Sequence, residues 1–226
     1  MRKRRLILGD YDTAAHGLWT LSEWSLTPAA YKSSFVSVPG RDGDLDLSTV
    51  LTDGIPTYGS RTLTATLECS DGTRLARDAR ISTMINQLDG QRLNIQLPDD
   101  PLHYLSGRVS VALKYSDPAH AAVTVTAICD PWRYAVDETV VTLTATAERQ
   151  SAQLINTGRK VAVPSVVVGS GASQDYVTLY FGGSIKILYA GTYTLPEFTL
   201  SPGVTTLDYK STGTQVLGLT YREVIL

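Results

Sequence analysis

A chain of 226 residues with a formal net charge of −2 has length for one large core or two small ones, burying roughly 70% of its unfolded surface. So small a charge excludes nucleic-acid binding by bulk electrostatics, which depends on neutralising many phosphates. A hydrophobic fraction of 43% with 19% charged residues excludes disorder, and no apolar run approaches the roughly 18 residues of a membrane span.

The chain begins Met1-Arg2-Lys3-Arg4-Arg5, which has the charge of a signal-peptide start, but only Leu6-Ile7-Leu8 follows before Gly9-Asp10. Export needs about 7 to 15 apolar residues there, so synthesis in a reducing cytoplasm is the expectation, and Arg2 to Arg5 read as solvated terminal charge. In Arg41-Asp42-Gly43-Asp44-Leu45-Asp46-Leu47 three aspartates alternate. A calcium loop of the EF-hand type needs glycine at its sixth position and glutamate at its twelfth, where this sequence has Leu47 and Asp53. The segment is therefore expected to be a glycine-containing turn entering a strand, with Leu45 and Leu47 inward and Asp44 and Asp46 outward.

Strict alternation follows in Thr62 to Cys69, where Leu63, Ala65, Leu67 and Cys69 share one face. The period then changes: Ile81, Met84, Ile85 and Leu88 fall at helical spacing, with Asp71 or Thr73 placed to cap the start and Gly90 to end it. Those four residues are expected to face the core. Val109-Val111-Leu113 and Val123-Val125-Ala127 return to strand alternation. The expected domain boundary lies after Asp130-Pro131-Trp132-Arg133-Tyr134, dividing residues 1–134 from 135–226. Beyond it come strand runs at 140–145, 161–168, 177–181, 185–189, 193–200, 205–209 and 216–226, separated by turn signals. That half is expected to be an antiparallel β-sandwich. No internal repeat or low-complexity linker is evident.

Residues that could carry chemistry are sparse. Cys69 and Cys129 end Thr/Val-rich runs and read as buried, reduced thiols on strands. His16, His103 and His120 are scattered, none at zinc-ligand spacing with a cysteine, so no metal or cofactor is expected. There is no G-x-S-x-G elbow, no P-loop and no dinucleotide fingerprint, and Gly169-Ser170-Gly171-Ala172-Ser173 reads as a hairpin loop. One binding alternative stands out. Tyr176 and Tyr180 share a strand face opposite Val177, Leu179 and Phe181, offering aromatic surface to a cell-surface glycan, although no tryptophan follows Trp132.

Read in order, Val38-Pro39-Gly40-Arg41-Asp42-Gly43-Asp44-Leu45-Asp46-Leu47 and Arg61-Thr62-Leu63-Thr64 leading into Leu67-Glu68-Cys69 resemble the N-terminal domain of distal tail (Dit) proteins of long-tailed bacteriophages. Leu93 to Val111, with Asp99-Asp100-Pro101 and Tyr104-Leu105-Ser106-Gly107-Arg108-Val109, is similar to that family's stretch after its helix. Asp130-Pro131-Trp132-Arg133-Tyr134 is similar to the domain's end, and Leu219-Thr220-Tyr221-Arg222-Glu223 to the terminal strand. The proline-glycine-arginine-aspartate-glycine element is the most specific of these.

The resemblance implies a mainly β protein: an N-terminal tail-tube-like β-sandwich or barrel with one α-helix, then a galectin-like antiparallel β-sandwich. It implies a structural virion protein and not an enzyme, made in the host cytoplasm and placed at the tail tip as a ring of six copies. The expected partners are the tail tube protein above, a tail-associated lysin or fibre protein below and, through the second domain, a receptor-binding protein. DNA would pass the lumen unbound. Arg41, Asp42, Asp44 and Asp46 are then candidates for the subunit or partner interface, by charge complementarity.

Overall fold

A computed structural model describes residues 5–17, 19–52, 54–171 and 174–226. The basic cluster Arg2 to Arg4, Asp53 and the pair Ala172-Ser173 lie outside the described residues. The chain divides into two compact units, one running to Arg133 and taking in Leu226, the other Tyr134–Ile225.

The first unit contains β1 (Ile7–Leu8), β2 (Tyr11–Asp12), α1 (Thr13–Gly17), β3 (Thr20–Leu26), β4 (Phe35–Val36), β5 (Leu45–Asp46), β6 (Arg61–Cys69), α2 (Arg74–Leu88), β7 (Arg92–Leu97), β8 (Asp100–Ser116) and most of β9 (Ala121–Ala135). A curled sheet runs β2-β1-β7-β8-β9-β6-β3, with β4 and β5 as a separate ribbon. The fold is mainly β as expected, though the helix count differs: α1 is a second helix. It escapes the period test because five residues give barely one turn.

In β6 the alternation expected from the sequence is realised, burying Leu63, Ala65, Leu67 and Cys69. Beside it in the same sheet, β9 buries Val123, Val125 and Ala127 through the register Leu67↔Val123, Ala65↔Val125, Leu63↔Ala127. Strand β8 buries Val109 and Val111 but leaves Leu113 exposed. Strand β3 breaks strict alternation with a register shift between Leu21 and Glu23. The extra residue returns Trp24 and Leu26 to the core side, where period two alone would have put them outside.

Helix α2 closes over the sheet and packs against β8. Thr73 is its N-cap, its hydroxyl accepting from the Ala76 amide at 3.3 Å. Ile81, Met84 and Leu88 are buried and Ile85 packs partly against the same core. At the other end the Asp89 carboxylate accepts from the Val111 amide at 2.9 Å, and Gly90 takes φ +74° to let the chain turn back. Arg77 is buried on this helix; it donates to the carbonyls of Gly72, Asp117 and Pro118 at 2.6, 3.0 and 2.7 Å, tying the β8–β9 turn to the helix start.

The second unit adds β10 (Thr139–Ala145), β11 (Gln150–Asn156), β12 (Ser165–Val168), β13 (Val177–Phe181), β14 (Ser184–Leu188), β15 (Gly191–Thr194), β16 (Gly203–Ser211), β17 (Gln215–Tyr221) and β18 (Val224–Ile225). Two antiparallel sheets, β10-β17-β12-β15 and β11-β16-β13-β14, enclose one core built around Leu154, Val166, Leu179, Phe198, Leu207 and Leu217. Three expected strands are shorter than their apolar runs. Proline accounts for two: Pro164 confines the first to Ser165–Val168, with Ala162 making a lone bridge to Leu200, and Pro196 stands beyond the end of β15. The last run divides into β17 and β18. The Gly169 to Ser173 segment was expected to close a hairpin. Strands β12 and β13 belong to different sheets, so they do not form that hairpin.

Candidate interaction surfaces

Between β3 and β6 the chain leaves the sheet as an arm of residues 28–60. Its neck is fastened by main-chain and threonine contacts: the Thr27 amide donates to the Thr62 carbonyl at 3.0 Å, and the Thr62 amide to the Thr27 hydroxyl at 2.7 Å. Farther out, the Gly59 amide donates to Ala30 and the Lys32 amide to Thr57, at 2.8 and 2.9 Å. Rings reinforce the same neck, Tyr31 against Tyr58 at 6.2 Å and Tyr58 against Trp132 at 5.7 Å, both edge-on. Such pairs contribute about 0.5–1.5 kcal/mol beyond their area.

Beyond the neck, β4 and β5 pair through Phe35↔Asp46 and Val36↔Leu45. Arg41, Asp42 and Asp44 sit on the turn that joins them, with Gly40 and Gly43 at φ +82° and +74°, backbone that other residues rarely adopt. All three side chains are exposed. Asp46 is exposed as well, but its carboxylate accepts from the Ser48 amide at 2.8 Å; Ser48, by side chain and backbone, holds Asp46 below the ordinary carboxylate value. The four candidate residues thus lie on one ribbon, yet Leu47 does not pack inward as expected, because the ribbon has no second layer to pack on.

The arm also carries apolar side chains that no period in the sequence marks. Tyr31, Phe35, Val36, Val38, Val50, Leu51 and Ile55 are all exposed, Leu51 at 97%. Lys32, Leu47, Val50, Leu51 and Thr57 line a groove of about 510 Å³. Aperiodic apolar residues in a glycine- and proline-punctuated stretch were the available signal.

In the second unit Tyr180 projects from β13 in register with Asp208 and Ile185, while Tyr176 precedes the strand. Arg149 stands 4.1 Å over the Tyr180 ring and donates to Asp208 at 2.7 Å; Ser151 donates to the same carboxylate at 2.5 Å. One face of the Tyr180 ring is therefore already taken by a guanidinium. Tyr176 meets Tyr189 edge-on at 6.0 Å, and Thr178, between the two tyrosines, is buried. The structure does not bring Tyr176 and Tyr180 together as one open stacking platform.

Cys69 and Cys129 are free and buried. Burial, with the Asp130 charge behind it, pushes the Cys129 thiol up to about 11, so it is neutral at physiological pH. Among the described residues no group of three or more His, Cys, Asp or Glu is gathered to hold a metal, and no helix is long and apolar enough to cross a membrane.

No protein-family model and no curated protein matches the sequence. Among solved structures the chain is similar to SPP1 Dit (gp 19.1), described as a paradigm of the hub adsorption apparatus in phages that infect Gram-positive bacteria, with a TM-score of 0.66 at 18% identity. The match covers 98% of this chain and 99% of that one, so the fold of the chain is that of SPP1 Dit from end to end.

Proposed function

We propose that the chain is a structural, non-catalytic protein of a phage tail tip that assembles six copies into a ring. The ring would join the tail tube protein to a tail-associated lysin or fibre protein, and DNA would pass through its lumen. The observation that carries this reading is the likeness to SPP1 Dit over both units. The arm supports it. A closed ring requires a patch on one copy to meet a different patch on the next. An arm that exposes Phe35, Val50, Leu51 and Ile55 beside Arg41, Asp42, Asp44 and Asp46 supplies one such patch, apolar in substance and charged for register. Strand β3, at the edge of the sheet where the arm begins, offers unpaired backbone beside it. The second unit would carry a receptor-binding protein.

Light scattering coupled to chromatography at several concentrations, with and without the tube and tip proteins, tests this reading, and negative-stain images give the copy number. A strict monomer that joins neither partner overturns it. A second reading, glycan recognition by the β11–β16–β13–β14 face, draws on Arg149, Ser151 and Asp208 beside Tyr180 as hydrogen-bonding groups next to an aromatic ring. Retention on host cell wall that disappears in Tyr176→Ala/Tyr180→Ala would favour it.

A further inference from the structure

The row of side chains that β6 turns to the core, Leu63, Ala65 and Leu67, begins with Arg61. Strand parity places Arg61 on that same face, and it is only 8% exposed. A buried guanidinium is costly unless its donors are matched. Arg77, the other buried arginine, has its terminal nitrogens matched by three carbonyls, although its Nε is buried without a partner, as is that of Arg133. Arg61 donates a hydrogen bond to no described residue, and its Nε is buried without a partner.

Its neighbours do not compensate the charge. Cys129, opposite Arg61 in register, is a neutral thiol. Asp100 is engaged by His103 at 2.8 Å and by Arg133 at 3.1 Å, and Asp130 by Arg92 at 2.6 Å. The end of the sheet thus gathers three guanidinium groups, Arg61, Arg92 and Arg133, around the carboxylates of Asp100 and Asp130 and the Leu226 oxygen, which accepts from Arg133 at 2.9 Å. Burial first, and then the charge of Arg133, hold Arg61 below its ordinary value.

We propose that Arg61 is the receptor for a single oxyanion, a carboxylate or phosphate group, which pairs with its otherwise unmatched guanidinium. A guanidinium fork meets such a group through two parallel hydrogen bonds, a geometry that a lysine ammonium does not reproduce. The oxyanion has two sources of the same chemistry: free phosphate, or a side-chain carboxylate of a second copy, on which Asp42 and Asp44 are exposed. The site stands whether or not the ring does, since every residue in it belongs to one unit of one chain.

Calorimetric titration of the full chain with inorganic phosphate, against chloride at matched ionic strength, tests the site. The expected result is saturable binding at one site per chain, with the thermal midpoint raised by about 3 °C or more at a hundredfold excess over the dissociation constant. Arg61→Lys should weaken binding about tenfold or more by losing the fork, Arg61→Met should abolish it, and Arg74→Met on the exposed face of α2 should leave it unchanged. No saturation in the wild type, or equal binding by Arg61→Lys and wild type, overturns the proposal. Light scattering separates the sources: phosphate that dissociates the self-associated chain assigns the site to the neighbour's carboxylate, and phosphate that binds with the assembly intact assigns it to the free anion.

Discussion

Strand β6 and the arm that precedes it are neighbours in sequence and comparably apolar, yet they use their apolar residues in opposite ways. In β6 every second side chain is buried against β9 and α2, so its hydrophobic surface stabilises the unit it belongs to. In the arm, Phe35, Val50, Leu51 and Ile55 face outward, and the ribbon is held by hydrogen bonds at its neck and not by a core of its own. Hydrophobicity alone does not separate these regions. Periodicity does: a regular repeat marks surface that the chain covers for itself, whereas aperiodic apolar residues between glycines and prolines mark surface left for another molecule.

That contrast can be broken most forcefully in β6. Leu67→Ala should cost about 2–5 kcal/mol through lost burial and the cavity left behind, measured by urea unfolding. Removing the α2 cap with Thr73→Ala should cost about 1 kcal/mol by the same measurement, since one amide loses its acceptor. Asp100 should act through pH. Burial pushes its carboxyl up, but the hydrogen bonds and charges of His103 and Arg133 together outweigh burial and hold it below 3.8. A carboxyl lowered in the folded state stabilises it above the unfolded value and loses that contribution as pH falls through the folded one. The thermal midpoint should therefore fall below about pH 4 in the wild type and fall less steeply in Asp100→Asn.

The smallest stability effects are expected in the arm, where Leu51→Ser and Asp42→Lys/Asp44→Lys should each change unfolding by no more than about 0.5 kcal/mol. On the ring reading both should nonetheless abolish self-association in light scattering. Loss of the fold in either variant would show that the arm belongs to the core, and the comparison with β6 would collapse.

The same contrast explains what could be read from the residues. Strand β6, the buried stripe of α2 and β13 were legible because each repeats with a fixed period against one partner, whereas the cap of α2 was narrowed only to Asp71 or Thr73. Strand β3 was not, since its bulge shifts the period in mid-strand. Strands β1 and β2 have two residues each, too few to show any period. Strand β11 hid because a core-facing position holds Asn156, whose amide donates to the Lys160 and Leu200 carbonyls in place of apolar contact. At the interaction surfaces, the acidic turn was visible as charge spacing. Leu51 and Ile55 were marked only by the absence of a period, and Arg61 was not marked, because an arginine at a strand start reads as a solvated end.

The clasp between Thr27 and Thr62 has one further consequence. The chain leaves and re-enters the sheet at a single point, so the arm is a closed loop whose ends are fixed independently of its contents. Closing such a loop becomes only slowly more expensive with length, about 0.6 kcal/mol for each doubling. Evolution can therefore lengthen, shorten or rewrite the arm beyond the neck held by Tyr31, Tyr58 and Trp132 with little effect on the body, which makes it the segment best placed to diverge.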